Sequence, residues 1–263
     1  MRVLVTIKQV PDTNNVTIDK RTGTLNREGV PSIINPEDRH AIEGALYLKE
    51  TYGASVTVLT MGPPQAREAL REALAMGVDE ACLMSDRSFA GADTLATAYT
   101  LSRGVLHLGE FDIIFGGRQA IDGDTAQVGP QLAGFLDIPQ ITYVCGIEEI
   151  NEQEKFLVVR RETDDEIQKI KAPFPALLTV IKEFNTPRYP SVGGIFDSFE
   201  KEIRLITAKE LTMDTAMIGL EGSPTQVHRT FTPTPKGEGV KVEGTPKEIA
   251  TRTLGMLKDK GFI

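Results

Sequence analysis

Short apolar runs alternate with longer helical runs in this chain of 263 residues, and this alternation constrains the fold more than any other feature. Short, mainly apolar runs stand at residues 2–9, 55–61, 81–84 and 112–115. The segments between them have helical periodicity and are long enough for crossover helices. The order predicts an α/β fold with a doubly wound, mostly parallel sheet and helices on both faces.

Turn and capping residues place the boundaries of these elements. Asn35 followed by Pro36 predicts a helix with Asn35 as N-cap that ends at Gly53. Similar signals predict helices at residues 64–77 and 94–108, and a hairpin over residues 16–25.

The pattern changes after residue 140. Residues 141–144, 156–161 and 167–170 read as antiparallel strands added to the sheet, and residues 176–181 as one more buried strand. The α/β domain is expected to close near Ile181 and to span residues 1–183. A Pro- and Gly-rich arm follows, and its last element is a helix that starts at the capping box of Thr245 and Glu248. Such a helix docks either on its own domain or on a partner subunit.

Composition excludes several classes of function. Lys+Arg 29 against Asp+Glu 37 gives a net charge of −8, and the scattered basic residues argue against nucleic acid or an anionic membrane as partner. Cys82 and Cys145 form no CxxC, and His40, His107 and His228 are isolated, so we predict neither a disulfide framework nor a metal site. The charged N-terminal stretch and the lack of a long apolar run predict a soluble protein in the cytoplasm.

The sequence GGRQAIDGDTAQVGP at residues 116–130 joins a predicted strand to a predicted helix. Glycine lets a ligand approach the backbone, and the first turn of a helix offers free N–H groups, so this loop suits an anion of a nucleotide cofactor. We expect Gly123 and the N–H groups of residues 125–127 to contact phosphate. A plain helix cap formed by Asp124 or Thr125 is an open alternative for these two residues and is compatible with cofactor binding. The Gly91-Ala92-Asp93-Thr94 stretch receives a second phosphate or a flavin, or is a plain cap. Neither GxGxxG nor a P-loop is present.

These residues occur together with KQVPDT from Lys8, NPED from Asn35, TMGPPQA from Thr60, RRETDDE from Arg160 and PALLTVIKEFNTPRY from Pro175. In that order, and from end to end, the chain resembles the beta (small) subunit of electron transfer flavoproteins. The resemblance implies a Rossmann-like fold of the adenine-nucleotide alpha hydrolase type. It also implies an alpha subunit that carries FAD, and an adenine nucleotide, AMP in ordinary members, in this chain.

Three stretches resemble the electron-bifurcating branch of that family: KQVPDT at Lys8, SDRSFAGADTLATA at Ser85 and GSPTQVHRTFTP at Gly222. In that branch the beta subunit binds FAD in place of AMP, and NADH is the electron donor. The acceptors are an acyl-CoA dehydrogenase-type flavoenzyme and ferredoxin or flavodoxin, so the chain acts in an enzyme complex and alone is an electron carrier. Two alternatives stay open: an AMP-binding structural subunit, and an adenine-nucleotide sensor of the universal-stress type.

The resemblance also assigns site residues. The nucleotide contacts fall on Thr6, Lys8, Val10, Asn35, Asp38, Met61, Gly62, Gly91, Asp93, Thr94, Thr97, Asp122, Gly123, Asp124, Thr125, Ala126, Gln127, Val128, Gly129 and Pro130. Arg161 and Glu162 correspond to residues near the alpha-subunit flavin. Residues 184–202 correspond to a recognition loop for the dehydrogenase, with Val192 at the apolar anchor position and Gly193, Ile195 and Phe196 as further recognition residues. Residues 203–263 correspond to an arm and helix that dock on the alpha subunit. Two departures from the common pattern are the absence of a lysine-rich run at residues 193–200 and Asp164-Asp165 in place of Gly-Gly.

Overall fold

The computed structural model describes residues 1–12, 17–18, 25–26, 31–228, 237 and 239–263. The chain divides into a compact unit, Met1–Val227, and a second unit, His228–Ile263. The strands of the first unit are β1 (Arg2–Thr6), β2 (Gln9–Pro11), β3 (Thr17–Ile18), β4 (Leu25–Asn26), β5 (Ser32–Ile34), β6 (Ser55–Met61), β7 (Glu80–Met84), β8 (Ile113–Gly117), β9 (Gln140–Asn151), β10 (Phe156–Glu162), β11 (Ile167–Pro173), β12 (Ala176–Val180) and β13 (Ile203–Ile206). Its helices are α1 (Pro36–Tyr52), α2 (Arg67–Met76), α3 (Thr94–Leu108), α4 (Val128–Leu136) and α5 (Val192–Glu200), and the second unit contains α6 (Pro246–Asp259).

The main sheet of the described residues has nine strands in the order β11-β10-β9-β12-β8-β1-β6-β7-β13. All pairings from β9 to β13 in this order are parallel, and β10 alone runs against its two neighbours. The predicted α/β class with a doubly wound, mostly parallel sheet is confirmed.

Apolar side chains cover both faces of the sheet, which explains why the strands are continuous apolar runs. Val3 and Val5 of β1 pack with α1 and α2 in one core layer. Leu4, between them, points to the other face and packs with α3 and α4. The predicted helix boundaries hold for α1, which ends at Gly53 with φ 67°, and the predicted hairpin is present as the antiparallel pair β3 and β4.

The strands after residue 140 differ from the prediction of three antiparallel additions. Strand β9 pairs in parallel with β12, because helix α4 carries the chain back to the same end of the sheet before β9 begins. A tight turn then reverses the chain, so that β10 is antiparallel to β9. Alternation of apolar residues cannot distinguish these two directions.

Strand β13 and helix α5 of the first unit lie beyond Ile181, near which the sequence predicts the domain to close. Strand β13 pairs in parallel with β7 and forms an edge of the sheet. Helix α5 stands inside the segment predicted as a recognition loop, where the Ser191 hydroxyl accepts a hydrogen bond from Gly194 N at 2.9 Å. Gly194 itself packs against Ala75 of α2, where a Cβ would clash with the Ala75 carbonyl oxygen. Close packing on α2 therefore stabilises a helix that composition alone does not indicate.

In the second unit, α6 begins with the predicted capping box, in which Thr245 and Glu248 bind each other's backbone N–H groups. Its apolar residues Leu254 and Leu257 are exposed. No helix among the described residues is long and apolar enough to cross a membrane.

Candidate functional site

The 116–130 loop joins the carboxyl end of β8 to the start of α4. Within the described part of the chain, the backbone N–H groups of residues 125–129 have no hydrogen-bond acceptor. Ala126 is left-handed with φ 53° and precedes the right-handed Gln127, a combination that turns successive N–H groups into an anion-binding concavity. The loop thus offers a row of donors for phosphate beside the positive end of the α4 dipole.

Neither Asp124 nor Thr125 caps the helix, so the structure does not support that alternative. The N-cap position is Gln127, and Asp124 accepts a hydrogen bond from Gln119 Nε2 at 2.8 Å. Asp124, with φ 50°, and Ala126 have a left-handed backbone, which is incompatible with a right-handed helix, so the helix begins only after them. Asp122, within this loop, forms an ion pair with Lys8 Nζ at 2.6 Å, so its charge is compensated.

Asn35 lies at the N-cap position of α1 but makes no capping hydrogen bond. Its side chain reaches the 116–130 loop instead: Nδ2 donates to Gln119 O at 2.8 Å, and Oδ1 accepts from Ile121 N at 3.1 Å. The amide of Asn35 therefore holds the loop in place.

Asp38 is buried one turn into α1, between two strand ends. One carboxyl oxygen accepts from Lys8 N at 2.7 Å and the other from Gly117 N at 3.0 Å. Burial raises the pKa of Asp38 to about 7. A Cβ at Gly117 would clash with this carboxyl, so glycine is required for the close approach.

Glu37 connects the same loop to a neighbouring cleft. Its Oε2 accepts from Gln119 N at 2.9 Å, and its Oε1 pairs with Arg118 at 2.8 Å. Glu37 lies within the predicted contact range 35–38, whereas Arg118 and Gln119 were not predicted as site residues, although both lie within a motif of the resemblance. Their roles depend on contacts between segments about 80 residues apart, and no local signal indicates these contacts.

Other predicted nucleotide contacts lie at the ends of β1 and β6 and in β2. Thr6 ends β1 and donates weakly to Phe115 O at 3.3 Å, and Met61 and Gly62 stand at the end of β6. Val10 is buried in β2, where it pairs with Ile33 of β5, so the structure does not expose it to a ligand. Gln131, in the first turn of α4, has a buried Oε1 with no partner in the described residues. This orphaned acceptor and the row of free N–H groups fit a nucleotide, which brings both N–H or O–H donors and phosphate oxygens.

The 85–98 segment meets the loop at one point, where Thr94 Oγ1 donates to Gln127 Oε1 at 3.0 Å. Asp93 caps α3, accepting from Ala96 N at 3.0 Å. Burial opposes ionisation of Asp93, but hydrogen bonds from Ala96 and Thr225 outweigh it and lower its pKa. Asp93 thus forms the plain cap that the sequence left as an alternative, and its carboxylate occupies the N-terminus of α3. Gly91, with φ 77°, and Thr97, whose N–H donates to Asp93 O, lie on either side of it.

Arg161 and Glu162 line a cleft of about 570 Å³ at the carboxyl end of β10. Arg118 and Arg161 each have a buried Nε without a partner in the described residues. The cleft shares Glu37 and Arg118 with the 116–130 loop, and its full lining is Glu37, Arg118, Tyr143, Arg161, Glu162, Thr163, Asp164, Ile181, Lys182 and Glu183. Among the described residues, no group of three or more His, Cys, Asp or Glu side chains is arranged to hold a metal ion.

Helix α5 presents apolar side chains to solvent. Val192 is 74% exposed, Phe196 72% and Phe199 67%, and Ile195 is also exposed. Gly193 lies in the same first turn, where a Cβ would meet no other atom. Large apolar residues at adjoining helical positions form a patch of the kind found at protein interfaces.

Comparison with known proteins agrees with this geometry. Residues 22–211, more than half of the chain, match the electron transfer flavoprotein domain. The chain is 52% identical over 263 residues to the electron transfer flavoprotein subunit beta of Clostridium acetobutylicum, with both chains covered completely. It is also 51% identical to the caffeyl-CoA reductase-Etf complex subunit CarD of Acetobacterium woodii and 44% identical to the acryloyl-CoA reductase electron transfer subunit gamma of Anaerotignum propionicum, again over the whole of each chain.

The fold is that of an α/β protein, and its strand-end loop has donors and an acceptor that fit a nucleotide. Together with these matches they show that the chain belongs to the electron transfer flavoprotein family, among its beta subunits. This membership excludes the alternative of a universal-stress-type sensor and implies an alpha subunit as partner.

Proposed function

We propose that this beta subunit binds FAD at the 116–130 loop and acts with its alpha subunit in flavin-based electron bifurcation. In this scheme NADH is the donor, and ferredoxin or flavodoxin and an acyl-CoA dehydrogenase-type flavoenzyme are the acceptors. The observation that carries the proposal is the contact of Thr94 with Gln127. Through this contact the 85–98 segment lies beside the free N–H groups of residues 125–129, which we name the phosphate-binding row. Two relatives described as subunits of CoA-ester reductase systems support it.

The chain's own groups bind and orient the nucleotide. The N–H groups of residues 125–129 donate to phosphate oxygens, and the free Oε1 of Gln131 accepts from the ligand. Lys8, at the end of β1, neutralises Asp122 and so keeps its charge from repelling phosphate. When bound, FAD supplies the hydride acceptance and single-electron transfer that the side chains cannot perform.

The cleft at Arg161 and Glu162 is proposed to face the alpha-subunit flavin. The unpartnered Nε atoms of Arg118 and Arg161 are donors that a group from outside this chain can satisfy. The shared residues Glu37 and Arg118 place this cleft next to the nucleotide loop, so two redox groups would lie at neighbouring positions.

The remaining surfaces are proposed to bind proteins. The exposed patch of α5 suits the acyl-CoA dehydrogenase-type partner, and residues 203–263 suit the alpha subunit, with the exposed side chains of α6 as contacts. Residues 184–202 then act as a recognition segment that is helical rather than a loop. The cytoplasm is the proposed location, since every proposed partner is there.

Identification of the bound nucleotides tests the cofactor assignment. The chain is purified with its alpha subunit, and the nucleotides are released and quantified per heterodimer. Two FAD are expected. One FAD and one AMP would instead support the alternative of a structural AMP in a simple electron carrier, and a heterodimer without flavin would contradict both.

A further inference from the structure

The segment that follows β13 lies along the loop that precedes α3. Ala208 N donates to Asp86 Oδ2 at 3.2 Å, and Leu220 N donates to Ala90 O at 3.0 Å. Leu220 also fills the space beside Gly91, where a Cβ would lie 3.0 Å from the Leu220 Cβ. The beginning of the C-terminal arm is therefore packed against this part of the site.

Asp93 is the centre of this contact. Its N–H donates to Ser223 Oγ at 2.8 Å, and its Oδ2 accepts from Thr225 N at 3.0 Å and from Thr225 Oγ1 at 2.7 Å. Its other oxygen caps α3 through Ala96 N. We name Asp93, Ser223 and Thr225 the arm clasp. Both oxygens of Asp93 are occupied by this chain, which makes it a positioning residue rather than a ligand of the cofactor.

Asp93 of the arm clasp is adjacent in sequence to Thr94, which joins the two site segments, residues 85–98 and the 116–130 loop. Thr94, which follows Asp93, donates to Gln127 Oε1, and Gln127 is the N-cap residue of α4. A continuous path of hydrogen bonds and one peptide bond thus connects Thr225 with the phosphate-binding row. Loss of the clasp would release the start of α3 from its position against the 116–130 loop.

The two site segments serve different parts of the two candidate nucleotides. AMP and FAD share adenosine and one phosphate, and FAD continues into a second phosphate, a ribityl chain and the isoalloxazine ring. The 116–130 loop contains enough donors for the shared part. Only the larger ligand extends far enough to need a second, separately held segment.

We infer that the arm clasp sets the preference of this site for FAD over AMP, by holding the 85–98 segment where the additional half of FAD binds. The inference rests on the proposed function, in which FAD occupies the site. It assigns Ser223 and Thr225, on the arm, a role in cofactor selectivity, so the arm serves the cofactor site as well as any partner.

Affinities of the heterodimer for both nucleotides test the inference. After removal of the nucleotide from the beta-subunit site, FAD and AMP are titrated separately into the unaltered protein and into Thr225→Val, Ser223→Ala and Asp93→Asn. Thr225→Val and Ser223→Ala each remove one hydroxyl, and Thr225→Ser keeps the hydroxyl as a conservative variant. Thr251→Val is the matched control, because it removes a hydroxyl whose one bond within the described part of the chain is to Lys247 O on α6.

The dissociation constant for FAD is expected to rise about tenfold or more in Thr225→Val and Asp93→Asn, since a hydrogen bond to a charged group is lost. The constant for AMP is expected to stay within about twofold, and Thr225→Ser and Thr251→Val are expected to bind both nucleotides as the unaltered protein does. An equal loss for both nucleotides, or no loss, would overturn the inference while leaving the proposed function intact. An unaltered heterodimer that binds no FAD at this site would overturn both.

Discussion

The carboxyl of Asp38 is held between Lys8 N and Gly117 N, and its protonation is linked to folding. Its pKa of about 7 lies above the ordinary value of 3.8, so the native chain holds a proton that the unfolded chain releases between these values. The contribution of Asp38 to the free energy of unfolding therefore falls as pH rises from about 4 to 7, by on the order of 4 kcal/mol, and is constant above. Asp38→Asn is expected to remove this slope.

Denaturant unfolding at several pH values between 4 and 8 measures the effect. Asp86→Asn is the control, because hydrogen bonds from Ser88 lower the pKa of Asp86 and place its titration below this window. If Asp38→Asn and the unaltered chain lose stability in parallel between pH 4 and 7, the linkage to Asp38 is wrong.

Replacement of Gly123 is expected to affect ligand binding, whereas replacement of Gly129 is expected to affect stability. A Cβ at Gly123 meets no atom of the described residues within 4 Å, whereas a Cβ at Gly129 would clash with Thr179. Gly123→Val is therefore expected to preserve the melting temperature of the nucleotide-free heterodimer and to reduce nucleotide occupancy at least severalfold, since the added side chain blocks close approach. Gly129→Val is expected to lower the melting temperature even without nucleotide. Occupancy and thermal unfolding are measured together, and full occupancy in Gly123→Val would contradict the assigned ligand position.

The assignment of the site residues to a ligand stays a prediction, and the contacts that these residues make within the chain were predicted only in part. The sequence predicts Asn35 as a helix cap because Asn before Pro is typical of that position. In the structure its amide binds Gln119 and Ile121 instead. Which acceptor an amide chooses depends on a loop more than 80 residues away, and no local pattern contains that information.

The exposed apolar face of helix α5 is proposed to recognise the partner flavoenzyme, and this role can be tested by substitution. Replacing Phe196 and Phe199 by Ser removes two large apolar side chains without burying any polar group. The KM of the heterodimer for its acyl-CoA dehydrogenase-type partner is expected to rise about tenfold or more, because large aromatic residues dominate interface energies. Cofactor content is expected to be unchanged.

Tyr47→Ser on α1 removes an exposed aromatic residue from a different surface and is the matched control for this prediction. Equal effects of the two replacements on KM would show that α5 has no specific role in recognition.

Elements with strong periodicity or clear caps were predicted well, and elements that depend on packing were not. Helix α1 begins and ends at the predicted signals, and helix α6 begins at the predicted capping box. Helix α5 and strand β13 were missed, because their short, Gly-containing or half-exposed sequences gain their structure from α2 and β7. Tertiary contacts override weak local propensity in such segments.

At the scale of the whole molecule, the buried core of the described residues lies within Met1–Val227. Ile218 and Ser223 belong to it, although the sequence assigns them to an arm without a core of its own. The division into residues 1–183, 184–202 and 203–263 by function stays a prediction, whereas the compact unit extends through the start of the arm. Apolar residues scattered among prolines and glycines gave no periodicity from which this packing could be predicted.

Strand β13 also has a consequence for synthesis of the chain on the ribosome. Its partner β7 ends at Met84, and β13 begins only at Ile203, so more than a hundred residues are translated before this edge of β7 is paired. An unpaired strand edge recruits other strands and promotes aggregation. Nascent chains stalled before Ile206 are therefore expected to depend on chaperones, and release from that dependence coincides with the arrival of one four-residue strand.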